Sequence, residues 1–233
     1  MKPSLTVVIP TLNNIQGLKY LKKYFQKKSF KVVIVDNSKK NFGFAGGVNK
    51  GVKNAKTKWL LILNDDVQFT DDDAIFQLIN GAEKRKLDAL SPTLINQSGV
   101  RENIAYKILP HGAISNSDIQ KGDYDGLTAA CLLIKNSSFK KLKGFDEDFF
   151  AYLEDVDLFL RFKKIGYKMG ISKIQVFHNH MTTSKTMGNF KAKQDMINWW
   201  RLYFKHPDKF KFNLRFLEER LRNLSGFLKA TLK

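Results

Sequence analysis

Two adjacent carboxylate pairs, Asp65-Asp66 and Glu154-Asp155, and a histidine pair, His178 and His180, are the side chains here whose types and spacing suit chemistry. The first pair, with Asn64 before it, ends the run WLLILNDDV at residues 59–67. An apolar run that stops abruptly reads as a buried strand, and the C-terminal end of such a strand is where open α/β sheets receive ligands. Two adjoining carboxylates there are stabilised by a cation or by a ligand rich in donors; an Asp-rich turn is the plainer alternative. Glu154, Asp155 and Asp157 open a helical segment, a position where acids also suit the helix dipole. His178 and His180 follow a short apolar run. With no Cys or further His nearby they are a weak zinc signal.

Positioning these groups falls to alternating apolar segments. Residues 5–9 (LTVVI) and 31–35 (KVVIV) read as strands that end at Pro10-Thr11 and Asp36-Asn37-Ser38. Between them Ile15, Leu18, Leu21 and Phe25 recur at near-helical spacing over residues 15–28. Strand, helix, strand makes a βαβ unit with parallel strands and a right-handed crossover. Residues 41–56 read as a Gly-rich loop entering a short helix. Its Gly43, Gly46, Gly47 and Gly51 either let backbone approach an anionic ligand or permit tight helix–sheet packing. Thr70 and Asp73 fit a capping box ahead of a helix over 74–86, which assigns Asp71, Asp72 and Asp73 to the helix start and not to chemistry. Residues 87–123 read as loops and edge strands, 127–134 as a strand, 137–142 as a short helix, 153–165 as a helix and 174–177 as a last short strand.

Composition bounds the class. A chain of 233 residues, 43% hydrophobic with 5 prolines, suits one large α/β domain with a small appendage and argues against extensive disorder. No apolar stretch follows a charged leader, and no run approaches the roughly 20 residues that span a bilayer. The single Cys131 forms no internal disulfide and reads as a buried thiol in a reducing compartment, so a cytoplasmic location is expected. A net charge of +18 asks for an anionic partner: nucleotide phosphate, nucleic acid or acidic lipid. The turn after the first strand, Pro10-Thr11-Leu12-Asn13-Asn14, lacks the G-x-G-x-x-G of dinucleotide binding, and no P-loop is present.

Five motifs stand in order: VVIPTLN (7–13), VIVDNS (33–38), NFGFAGGVNKG (41–51), LNDDV (63–67) and GFDEDFFAYLEDVDLFLRFKKIGYK (144–168). With them the chain resembles glycosyltransferase family 2, inverting enzymes of the GT-A fold, and in particular its rhamnosyltransferase-like and galactofuranosyltransferase-like branch. The resemblance covers residues 4 to about 185. It implies a Rossmann-like nucleotide-binding domain with a mainly parallel central sheet flanked by helices over 1–190, followed by a basic amphipathic helical extension over 191–233. The donor implied is a pyrimidine nucleoside-diphosphate sugar, UDP- or TDP-linked, with Mg²⁺ or Mn²⁺. The acceptor implied is a hydroxyl of a glycan or a lipid-linked sugar in cell-surface polysaccharide or glycolipid synthesis.

Residue by residue, the resemblance gathers Pro10, Thr11, Asn13, Asp36, Asn37, Gly43, Gly46, Asn49, Asn64 and Asp65 around the nucleotide. Asp36 accepts from the base through a charge-assisted hydrogen bond. Asp66 holds the divalent cation on the diphosphate with His178 or His180, and Ser184 and Lys185 stand near enough in sequence to assist the phosphates. Asp155 is the base that takes the acceptor proton, with Glu154, Ala129 and Ala130 on the acceptor side. Two departures from the family pattern are Asn64, where a first Asp is frequent, and Ala129-Ala130, where relatives carry a Gly first.

In the tail, Leu214, Leu217, Leu221, Leu224 and Leu228 form one apolar seam beside Arg215, Arg222 and Lys229. Such a helix packs on the domain, dimerises or lies on an anionic membrane; the upstream Trp199, Trp200, Tyr203 and Phe204 favour peripheral attachment on a cytosolic membrane face. Two rival functions are a polyanion binder on a degenerate fold, which rests on charge alone and has no nucleic-acid motif, and a sugar nucleotidyltransferase, which would want a Gly-, Arg- and Lys-containing loop at 10–14.

Overall fold

The computed structural model of the chain describes residues 5–102, 104–116, 122–179 and 189–231. In chain order its elements are β1 (Leu5–Thr11), α1 (Ile15–Gln26), β2 (Lys31–Asp36), α2 (Gly43–Val52), β3 (Trp59–Leu63), β4 (Val67–Phe69), α3 (Ala74–Lys84), β5 (Ala89–Ile95), β6 (Ala105–Leu109), β7 (Ala113–Asn116), β8 (Gly126–Leu127), β9 (Cys131–Lys135), α4 (Asn136–Lys141), α5 (Glu154–Lys164), β10 (Met169–His178), α6 (Phe190–Lys205) and α7 (Leu214–Thr231). A seven-stranded sheet runs in the order β2-β1-β3-β9-β5-β10-β4, and a small antiparallel sheet in the order β7-β6-β8. In the large sheet β2, β1, β3, β5 and β10 point one way while β9 and β4 oppose them. The expected mainly parallel α/β architecture is what forms.

The apolar runs are continuous because helices cover both faces of the sheet. β1 and β3 are buried along their whole lengths. Along β3 the side chains alternate: Trp59, Leu61 and Leu63 join Leu21, Phe25 and Leu78 on the α1/α3 side, while Leu60 and Ile62 join Val48, Phe139, Phe159 and Phe162 on the other. A third cluster packs Tyr106, Ile108, Phe149, Leu153, Val156 and Leu160 against Trp199, Leu202 and Phe210. The start of the C-terminal segment is therefore built into the body.

The glycine-rich segment is mostly helix, and the reason is contact. A Cβ at Gly47 would lie 3.0 Å from Pro10 Cβ, and one at Gly51 would overlap Val8 Cγ1 and lie 3.2 Å from Val35 Cγ2. Only bare backbone lets α2 rest directly on β1 and β2. Gly43 differs: its φ is +69° and a Cβ would overlap the Phe150 carbonyl.

Four sequence expectations are corrected. Residues 87–123 are not only loops and edge strands: β5 is buried inside the large sheet, between β9 and β10. The capping box at Thr70 does not form, because Asp73 itself sits at the N-cap; Asp71 Oδ1 accepts from Asp73 N at 2.8 Å and its Oδ2 from Gln77 Nε2 at 2.7 Å. Residues 127–134 are not one strand: the chain leaves the small sheet after Leu127 and enters the large one at Cys131. The short strand at 174–177 is the end of ten-residue β10, whose N-terminal half is broken up by Gly170, Ser172 and Lys173 and so gave no apolar run.

At the tail, α7 packs through Phe216, 4.8 Å from the Tyr203 ring and 5.4 Å from Trp200. Arg220 stacks over Trp199 at 4.7 Å and donates to Gly112 O at 2.6 Å. The leucine seam lies to one side of that face and stays exposed.

The close seat of α2 predicts opposite effects for two helical glycines. Gly51→Ala should lower stability by about 1–3 kcal/mol through overpacking, whereas Gly226→Ala, with open space around it in α7, should raise it by about 0.5–1 kcal/mol. Thermal unfolding of both variants measures this; equal shifts of the same sign would refute the packing account.

Candidate active site

A cavity of about 470 Å³ opens at the C-terminal edge of the parallel strands. One wall carries Pro10, Thr11, Asn37, Gly43, Asn64, Asp65 and Asp66; another carries Ala129, Ala130, Glu154, Asp155 and His178; α6 closes it with Phe190, Lys191 and Asp195. Most of the residues picked from sequence thus converge. Asn13, Asp36, Gly46 and Asn49 stand outside this lining. Asn13 is exposed with φ +61°. Asp36 is exposed at the end of β2, accepting from Ser38 N at 2.8 Å, and hydrogen bonding from Ser38 holds its carboxyl below the usual range. Gly46 packs on Phe42. The Asn49 amide stitches α2 to the 145–147 turn, donating to Phe145 O at 2.8 Å and Glu147 Oε1 at 2.9 Å. His180, Ser184 and Lys185 lie outside the described residues.

The neighbouring carboxylates Asp65 and Asp66 serve different partners. Thr11 Oγ1 donates to Asp65 Oδ2 at 2.6 Å, and Asn14 Nδ2 to Oδ1 at 3.0 Å. Burial raises the Asp65 pKa against those bonds. The donors expected of a ligand come, for Asp65, from the protein itself. Asp66 turns the other way. β10 pairs with β4 so that His178 stands opposite Val67, and Asn179 N donates to Asp66 O at 2.9 Å. That register brings His178 Nε2 to 3.2 Å from Asp66 Oδ1.

On the other ring nitrogen, His178 Nδ1 lies 2.8 Å from Glu102 Oε2. An ionised carboxylate only accepts, so Nδ1–H donates to Glu102 and Nε2–H faces Asp66; a cation bound at Asp66 would take the place of the Nε2 proton while Glu102 keeps the one on Nδ1. Burial alone would lower the His178 pKa, but Asp66 and Glu102 on its two sides outweigh it and raise it. An imidazole that can give up its Nε2 proton beside a carboxylate, oriented by a second carboxylate behind it, is a donor set that fits a divalent cation. Among the described residues no group of three or more His, Cys, Asp or Glu side chains gathers as a metal site. Asp66 and His178 would be two protein ligands, leaving the remaining positions for phosphate oxygens and water. Glu102 carries no sequence signal: it follows a turn at 96–100 and reaches His178 only through the fold.

Glu154 and Asp155 begin α5 at the cavity. Both are pushed up in pKa first by desolvation, Asp155 to about 6 and Glu154 well above its ordinary value. Val156 N donates to Asp155 Oδ1 at 2.8 Å, and the Ala129 backbone adds a second hydrogen bond, so the Ala129-Ala130 departure meets the acid through main chain. Tyr106 of β6, another residue without a sequence signal, lines the same cavity with a buried hydroxyl that lacks a partner among the described residues.

Comparison with known proteins agrees with this geometry. The family profile of glycosyl transferase family 2 matches residues 16–143. The low-salt glycan biosynthesis hexosyltransferase Agl10 of Haloferax volcanii is 23% identical over 154 residues, 60% of this chain and 49% of that protein. The N-acetylglucosaminyl-diphospho-decaprenol L-rhamnosyltransferase of Mycobacterium tuberculosis is 41% identical over 87 residues, 32% of this chain and 28% of its own length. The chain thus spans about half the first relative and less than a third of the second. Among solved structures, the mannosyltransferase PcManGT of Pyrobaculum calidifontis, in complex with GDP-Man and Mn2+, superposes with a TM-score of 0.62 at 13% identity, over 100% of this chain and 74% of that one. S. aureus TarS 1-349 gives 0.55 at 14% identity, over 97% and 80%. The fold shared with these structures is GT-A.

If Glu102 orients His178 as a ligand, Glu102→Gln should weaken Mn²⁺ binding in the presence of UDP about 10-fold or more while leaving the fold intact. Calorimetric titration measures it, and unchanged Mn²⁺ affinity would remove Glu102 from this role.

Proposed function

This chain belongs to glycosyl transferase family 2, and from that premise we propose that it moves a sugar from a pyrimidine nucleoside-diphosphate donor to a hydroxyl of a glycan or lipid-linked acceptor, with inversion. The observation that carries the reading is a single cavity with a desolvated carboxylate, Asp155, on one wall and the Asp66–His178 pair on another. The nucleoside lies at the ends of β1 and β2. There Asp36, kept ionised, accepts the base N–H, and the buried Asn37 Oδ1, without a partner among the described residues, offers a second acceptor. The names of the relatives support a saccharide acceptor in glycan synthesis.

Asp155 takes the proton from the acceptor hydroxyl as its oxygen bonds to the anomeric carbon, and the bond from that carbon to the diphosphate oxygen breaks on the opposite face. A base whose pKa is about 6 is ionised at neutral pH yet basic enough to accept. Burial, with the neighbouring Asp155, pushes the Glu154 pKa well above its ordinary value, which disfavours a second charge beside Asp155. Thr11 and Asn14 hold Asp65 and so fix the 64–66 link. Asp66 and His178 would hold Mg²⁺ or Mn²⁺, which when bound neutralises charge on the departing diphosphate.

The exposed face of α7 supports a peripheral membrane contact. Leu214 and Leu221 are 71% and 64% exposed, Phe204 is 73% exposed, and Arg215, Arg222 and Lys229 flank the seam. An apolar stripe beside cations is what an anionic bilayer surface takes up.

Two experiments test these readings. Since only ionised Asp155 accepts a proton, turnover should fall as pH drops through about 6, and Asp155→Asn should cost on the order of 10²–10⁴-fold in kcat. Thermal shifts with UDP, TDP and GDP, each with and without Mn²⁺, should show the largest rise for a pyrimidine nucleotide with metal; a response to GDP alone, or full turnover by Asp155→Asn, would sink the proposal. For the membrane, co-sedimentation with phosphatidylglycerol vesicles should fall sharply in Leu221→Glu and be absent with phosphatidylcholine alone. Vesicle binding that ignores the substitution would refute the contact.

A further inference from the structure

The loop that delivers the acid pair is built from backbone conformations its residues disfavour. Phe150, Tyr152 and Leu153 have φ of +59°, +67° and +66°, a region where a Cβ crowds the following carbonyl and where Gly is the usual occupant. Such a loop persists only when its surroundings over-determine it.

Its carbonyls reveal what does so. Asn198, fully buried in α6, donates through Nδ2 to Phe149 O at 3.0 Å, Ala151 O at 3.0 Å and Tyr152 O at 2.7 Å. One amide nitrogen thus shares two protons among three main-chain acceptors. The intervening carbonyl, Phe150 O, accepts from Ala45 N at 3.1 Å, in space that Gly43 leaves open. The amide is not free to flip: Arg201 Nη1 donates to Asn198 Oδ1 at 2.7 Å, which commits the oxygen to Arg201 and the nitrogen to the loop. Leu153 ends the loop as the residue before α5, so Glu154 and Asp155 take their direction from it. Phe150 and Tyr152 line the cavity, with the Phe190 ring 5.9 Å and 6.2 Å away.

We infer that Asn198, held by Arg201, is a positioning residue for sugar transfer, fixing the 150–153 loop so that Asp155 and the Phe150–Tyr152–Phe190 wall meet the acceptor saccharide. An aromatic wall suits the apolar face of a sugar ring, and it stands on the same loop as the base. The donor side, at the ends of β1, β2 and β3, receives no hydrogen bond from Asn198. The inference rests on Asp155 being the base, and it predicts that the two halves of the site separate on substitution.

The test compares Asn198→Ala, Arg201→Gln, Arg201→Lys and Asp155→Asn in the full chain. UDP-galactose, TDP-rhamnose and GDP-mannose are each tried as donor, with whichever acceptor supports turnover in the unaltered protein, and UDP with Mn²⁺ is titrated separately. Asn198→Ala and Arg201→Gln should lower kcat tenfold or more while UDP affinity stays within twofold. Arg201→Lys, which keeps a donor to Oδ1, should recover most of the loss. If Asn198→Ala does not fold, Arg201→Gln, which leaves the buried amide in place, carries the comparison. Turnover within twofold of the unaltered chain, or kcat and UDP affinity falling together in step with Tm, would overturn the inference. Full activity in Asp155→Asn would bring it down with the base assignment. A dead Asp155→Asn beside active Asn198 and Arg201 variants would overturn this inference alone.

Discussion

Asn64, Asp65 and Asp66 join the end of β3 to β4, although three strands, β9, β5 and β10, separate the two in the sheet. Four strand spacings in a flat sheet come to ~19 Å, and four Cα steps reach at most ~14 Å. The link closes only if the sheet curls. β9 and β5 permit this by pairing over two positions alone, Ala89 with Ile134 and Leu90 with Leu133. Everything at the cavity follows from that closure. It carries Asp65 against β1, where Thr11 and Asn14 hold it, and carries Asp66 to β10, where His178 meets it.

Four buried or half-buried acids then share one cavity without sharing a role, because their surroundings differ. Asp65 has neutral protein donors at both oxygens. Asp66 faces an imidazole whose far side is held by Glu102. Burial and the neighbouring Asp155 push the Glu154 pKa well above its ordinary value, and one of its oxygens has no partner among the described residues. Asp155 is compensated in part by main-chain N–H groups and settles between the extremes. Differences of solvation and hydrogen bonding thus give chemically similar side chains four different environments.

The C-terminal segment enters the active centre from outside the stretch that matches the family profile. α6 buries Trp199 and Leu202 in the third core cluster, supplies Phe190 to the cavity, and places Asn198 under the loop before Asp155. α7 is held to this platform by Phe216 and Arg220 and turns its leucines outward. One helix thus shapes the site and the next offers a surface.

Local pattern was enough for β1, β2, β3 and the faces of α1 and α5, which announce themselves by apolar runs and by period, and the Asp66, Asp155 and His178 positions follow from motifs that sit at element ends. It failed where the deciding contact is distant in sequence. Glycine at 46, 47 and 51 admits two readings until α2 is seen lying on Pro10, Val8 and Val35. The run at 127–134 is divided between two sheets by pairing that no periodicity encodes. Glu102, Tyr106 and Asn198 have ordinary neighbours in the chain and acquire meaning only from His178, the cavity and the 149–152 carbonyls. Sequence by itself determined the strands and helices with a clear apolar run or period, β1, β2, β3, α1 and α5 among them, and the acids at their ends, because those depend on side-chain type over a few neighbours. Only the tertiary structure decided which acid faces which partner, because burial, register and the curl of the sheet are set by contacts many tens of residues apart.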